Sequence, residues 1–104
     1  MRLRLTKAAV QQLSLISNPD GSRIDNKIRE YKEKPKLLET NLTIEQAGVF
    51  KYFFKQYGKK LGHFRVGGWR VIGLLEMDVF CVVGFAKRGE LEKELMRTLR
   101  RFPG

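Results

Sequence analysis

The stretch HFRVGGWRVIGLLEMDVFCVVGFAK, residues 63–87, decides the fold. Its apolar runs are rich in β-branched and aromatic residues, and they are separated only by GG at 67–68 and MD at 77–78. Connections that short join hairpin neighbours, so the stretch predicts a three-stranded antiparallel meander. The central members are apolar on both faces, which implies helices over one side of the sheet and partial cover over the other. Arg65 and Arg70 stand against this pattern, and Arg70 sits beside Trp69 in an otherwise buried run. A charge is costly to bury. Either Arg70 projects from an exposed sheet face and lays its stem over Trp69 or its neighbours, or it meets a phosphate, which a planar, permanently charged guanidinium suits. The two arginines flank the turn and approach one another across the hairpin. Like charges directly opposite repel, so they must diverge, pair with acids or await an anion.

Working outward, RLRL at 2–5 alternates basic and apolar residues and predicts a short strand with Leu3 and Leu5 inward. From Thr6, a capping residue, the period becomes helical, with Ala9, Val10, Leu13 and Ile16 on one face. NPDG at 18–21 stops that helix. A second is expected from about Ser22 to Pro35, with Ile24, Ile28 and Tyr31 inward, making a helical hairpin with the first. Thr43 and Gln46 fit a capping box preceded by Leu42, which predicts a third helix to about residue 57. Its face would carry Phe50, Phe53, Phe54, Tyr57 and Leu61, ending near Gly58, as core packing. A last helix is expected from about Gly89 to Arg101, with Leu91, Leu95, Leu99 and Phe102 inward and Lys93, Arg97, Arg100 and Arg101 opposite. The fold class is therefore α+β: a small antiparallel meander with an N-terminal strand added, packed against an N-terminal helical hairpin and further helices. Residues 1–104 are expected to form a single domain.

The 21 lysines and arginines against 11 acids give the chain a formal charge of +10 and a pI near 10.1. Residues 1–50 carry nine bases and six acids and the remainder twelve and five, so the excess lies with the meander and the last helix. A field of this sign draws polyanions, with nucleic acid ahead of an acidic protein, and both ahead of an anionic membrane. No apolar run approaches the about 20 residues of a membrane-spanning helix, and Arg2 and Arg4 interrupt any leader-like start. Cys81, the sole cysteine, lies in an apolar run and reads as a small hydrophobe in a reducing, cytoplasmic compartment. One histidine and one cysteine eighteen positions apart make no metal site, and neither a catalytic triad nor a phosphate-cradling glycine loop is present. No cofactor is expected. What remains is a cationic set: His63, Arg65 and Arg70 on the first two meander strands, Lys87 and Arg88 ending the third, and Lys59 and Lys60 leading in. His63 is expected to be exposed among these cations, which would favour its neutral form, the one able to act as a base.

A strand, a helical hairpin, FRVGGWRVIGLL, VFCVVGFAKR and a terminal helix together resemble the RelE/ParE toxin superfamily, including its HigB branch. The family's glycine-aromatic-arginine signature corresponds to Gly68, Trp69 and Arg70, and its closing basic pair to Lys87 and Arg88. LTKAAVQQL is similar to the family's first strand-to-helix passage. The likeness covers about two thirds of the chain and is weakest over residues 36–58. It implies a compact toxin with a cognate antitoxin. RelE-type members enter the ribosomal A site and cut messenger RNA, whereas ParE-type members inhibit DNA gyrase. For the first activity, the resemblance assigns Arg70 and Arg88 to stabilising charge on the phosphate. Arg65 adds a further contact, His63 stands near a position of the general base, and Lys59 and Lys60 hold ribosomal RNA. Lys87, Lys93 and Arg97 extend the nucleic-acid surface. The chain departs from many nuclease members in having neither tyrosine nor histidine after His63. Charge favours the endoribonuclease; the alternatives are a gyrase inhibitor and a plain basic nucleic-acid-binding module.

Overall fold

The computed structural model describes residues 1–45, 60–87 and 89–90. In chain order these form β1 (Arg2–Leu5), α1 (Lys7–Leu15), α2 (Asp20–Glu33), α3 (Pro35–Asn41), β2 (Thr43–Glu45), β3 (Lys60–Val66), β4 (Trp69–Glu76) and β5 (Val79–Lys87). The strands make one sheet in the order β1-β5-β4-β3-β2. The expected meander is present as β3, β4 and β5, with turns at 67–68 and 77–78. The N-terminal strand joins it at the β5 edge, in parallel, with Leu3 opposite Phe80 and Leu5 opposite Val82.

Alternation along the strands places Leu3, Phe64, Val66, Val71, Phe80, Val82 and Phe85 on one face, where they form the core with Ala9, Ile24, Ile28, Tyr31 and Leu38 of the helices. Tyr31 meets Phe64 edge-on, with ring centroids 4.9 Å apart. The opposite face carries Arg2, Arg4, Arg65 and Arg70 toward its corners and the buried Leu61, His63, Ile72 and Leu74 toward its middle.

Each helix starts or stops for a local reason. Thr6 caps α1, its hydroxyl accepting from the Ala9 amide at 3.1 Å. Val10, expected inward, is instead 54% exposed, because α1 turns Ala9 to the sheet and leaves Val10 on its rim. α2 begins two residues before the expected Ser22, after a cis Asn18-Pro19 bond. Gly21 is thus helical and buried: an added Cβ would collide with the Ile16 carbonyl, so this glycine permits close approach of α2 to the end of α1. Pro35 does not merely end α2. It starts α3, where a proline at the first helical position loses no hydrogen bond.

Thr43 does not cap a helix. Thr43-Ile44-Glu45 pairs as an edge strand with His63, Gly62 and Leu61, a setting in which β-branched residues fit better than at a helix start. Leu61, expected on the third helix, therefore belongs to β3. The remainder of that helix, and the last helix from Leu91, lie outside the described residues. Gly89 itself is in a turn with φ 88°, and the Glu90 amide donates to the Lys87 carbonyl at 2.9 Å.

Gln12 closes a gap that β1 leaves. β1 pairs with β5 only as far as Val82, where the Thr6 amide makes the last bond at 3.0 Å. Beyond it, the Gln12 side-chain amide donates to the Phe85 carbonyl at 3.0 Å and accepts from the Phe85 amide at 3.2 Å. One side chain thus substitutes for a strand on this stretch of edge.

Candidate nucleic-acid interface

The two-residue turn at 67–68 sets the register of β3 against β4: Val66 faces Trp69, Arg65 faces Arg70 and His63 faces Ile72. Arg65 and Arg70 are therefore direct cross-strand partners on the face opposite α1, α2 and α3. Arg65 is exposed and Arg70 half-buried. Like charges on directly opposed residues repel unless their side chains diverge or are partnered, and the sheet backbone keeps their roots together. An anion received between them would remove that repulsion, and phosphate geometry suits the paired forks.

Trp69 and Arg70 point to opposite faces, because successive strand residues alternate. Arg70 therefore does not lie over Trp69. Lys87, the partner of Trp69 in register, does, with its ammonium 5.7 Å from the ring centroid. On the same side the indole N–H donates to the Asp20 carboxylate at 3.1 Å, tying the hairpin tip to the first turn of α2. Replacing Trp69 with phenylalanine keeps an aromatic ring there but deletes that bond together with the indole's second ring. It is expected to cost about 1 kcal/mol, because the acceptor is charged and the site only partly buried. Chemical denaturation checks this, and Asp20→Asn in the same background should then add little.

The remaining cations of the expected set divide. His63 is not exposed: at 9% accessibility it is an interior residue of the sheet, flanked by Thr43 on β2 and Ile72 on β4. The charges of Lys60 and Arg65 do not make it exposed, because it lies in the middle of a sheet face where Leu61, Ile72 and Leu74 are buried too. His63 does share the face of Arg65, about 7 Å along the strand. Lys60 stands exposed at the far end of β3, about 17 Å from Arg65, and takes no part in the same contact. Lys87 is exposed, on the Trp69 side. Lys59, Arg88, Lys93 and Arg97 lie outside the described residues. Among the described residues no cluster of three potential metal ligands occurs, and no helix is long and apolar enough to cross a membrane.

No protein-family model and no curated protein matches the chain. Solved structures do. RelE in the archaeal RelE-RelB complex from Pyrococcus horikoshii OT3 superposes with a TM-score of 0.57 at 18% identity, over 85% of this chain and 94% of that one. The E. coli toxin RelE, a mutant with two arginines changed to alanine and in the free state, gives 0.55 at 16% identity over 97% and 96%. The chain has a RelE-like fold. The expected α+β class stands with it. In this RelE-like chain the sheet face opposite α1, α2 and α3 is where the arginine pair comes together.

Proposed function

We propose that the chain is the toxin of a toxin-antitoxin pair and acts as a metal-independent, ribosome-dependent messenger-RNA endonuclease in the cytoplasm. The observation that carries this is the apposition of Arg65 and Arg70, in a RelE-like fold of high positive charge. In the reaction, the 2′-hydroxyl of a ribose attacks the adjacent phosphorus in line. The phosphorus–5′-oxygen bond breaks, giving a 2′,3′-cyclic phosphate and a 5′-hydroxyl. The proton leaves the attacking oxygen for a base and an acid protonates the leaving oxygen. Arg65 and Arg70, with Arg88 following the end of β5, stabilise the charge that accumulates on the pentacovalent phosphate. His63, enclosed in the sheet, supports this face from within rather than reaching the hydroxyl as a solvent-facing base.

The partner is a cognate antitoxin, as the archaeal RelE is seen with RelB. An acidic segment is the expected complement of the cationic face. The test is inducible expression in bacteria, followed by mapping of transcript ends. Translation should stop, with new 5′-hydroxyl ends inside coding regions. Arrest with intact transcripts and altered plasmid supercoiling would overturn the nuclease reading.

A further inference from the structure

Arg2 and Arg4 form a second cationic corner on the same sheet face. β1 pairs with β5 so that Arg4 faces Cys81 and Arg2 faces Val79. Cys81 in turn faces Leu74 on β4, which lies on the side of the sheet from which Arg70 projects. Both arginines are exposed, and neither makes an ion pair with another described residue. Beside Arg4 an open groove of about 440 Å³ has an apolar floor that includes Leu74, Met77, Val79 and Cys81, with Glu76 also among its lining residues. Met77 is 99% exposed and held at φ 55°, so an apolar side chain is presented to solvent next to a guanidinium. Four residues along β4 and two strand spacings separate this corner from Arg70, about 13 Å by about 10 Å.

We infer that a single-stranded polynucleotide held at Arg65 and Arg70 regains the protein at β1, with a phosphate on Arg2 and Arg4 and a base laid in the adjoining groove. This rests on the nucleic-acid reading above and adds a second contact to it. Exposed arginines suit phosphate, and an apolar floor beside them suits the flat face of a base of any sequence. Charged residues on an edge strand also have a plainer use, since they discourage pairing with another sheet. Charge reversal separates the two uses, because glutamate still blunts an edge but repels phosphate.

The experiment compares the full-length chain with its Arg2→Glu/Arg4→Glu variant, using oligoribonucleotides of roughly three and roughly twelve nucleotides, the second long enough to span both corners. The variant should lose affinity for the long RNA at least tenfold. Its salt slope should fall by about 0.7 for each phosphate that is no longer neutralised. Binding of the short RNA should be unchanged, because the corners lie more than the ~8 Å screening length apart at physiological salt. Unchanged affinity for the long RNA would overturn the inference, as would an equal loss for both lengths. Aggregation of Arg2→Gln/Arg4→Gln with RNA binding intact would likewise leave edge protection as the role of the pair. An Arg65→Ala/Arg70→Ala variant that keeps its full affinity for the short RNA would instead remove the underlying reading.

Discussion

Replacing Arg70 with alanine is expected to lower transcript cleavage by about 10²–10³-fold, the range seen when one preorganised group that stabilises developing charge is removed. The fold should barely respond. Arg70 lies half-buried opposite Arg65 on a corner of the sheet, so its removal relieves a like-charge contact at the cost of the interactions its own side chain makes. These effects oppose one another, and the unfolding midpoint should move by no more than a few degrees. Arg70→Lys separates charge from geometry. Lysine keeps the positive charge but cannot present a planar fork, so cleavage should fall between the wild-type and alanine levels. The measurement is the rate of transcript cleavage on programmed ribosomes, with thermal unfolding of the same preparations. Full activity in Arg70→Ala would remove the arginine pair from the reaction. Loss of activity together with loss of the folded state would make its role structural.

The hairpin register that carries this prediction is legible in the chain itself. A two-residue connection at 67–68 permits little else than Arg65 against Arg70, and alternation then forces Trp69 to the other face. The N-terminal strand, the Thr6 cap and the inward residues of α2 are legible for the same reason, since each depends on residues within a few positions. His63 shows where local reading fails. It is buried with Leu61, Ile72 and Leu74 in the middle of one sheet face, and it is interior to the sheet only because Thr43, twenty positions away on a strand whose TIE sequence resembles a helix start, pairs beside it. The placement of Arg2 and Arg4 on the face of Arg70 depends on a parallel pairing between the two ends of the described chain, which no local period encodes. The Gln12 clamp on Phe85 is equally invisible, because an isolated glutamine on a helix has many uses.

Gly73→Ala should be among the most damaging single-methyl changes available to this protein. Gly62 and Gly73 are cross-strand partners, and together they leave a recess on the helix-facing side of the sheet that the Phe80 ring fills. A Cβ on Gly73 would lie 2.5 Å from Phe80 Cζ and 2.7 Å from the Cys81 carbonyl oxygen. The ring is fully buried, and the carbonyl belongs to the neighbouring strand at an irregularity in the β4–β5 register, so neither can yield freely. Overpacking of this kind costs about 1–3 kcal/mol, and the upper end is expected here because one of the clashing atoms, the Cys81 carbonyl oxygen, is backbone. For a domain of this size that lowers the unfolding midpoint by roughly 10–20 °C. Gly62→Ala should cost less, since its Cβ would stand 3.2 Å from the Thr43 carbonyl oxygen and 3.4 Å from the ring. Phe80→Leu opens the recess by removing the far edge of the ring. In that background Gly73→Ala should be milder by about 1 kcal/mol, the size of coupling usual for residues in contact. A double-mutant cycle by chemical denaturation measures the difference. Strict additivity would mean that the backbone contact with Cys81, rather than the ring, sets the whole cost.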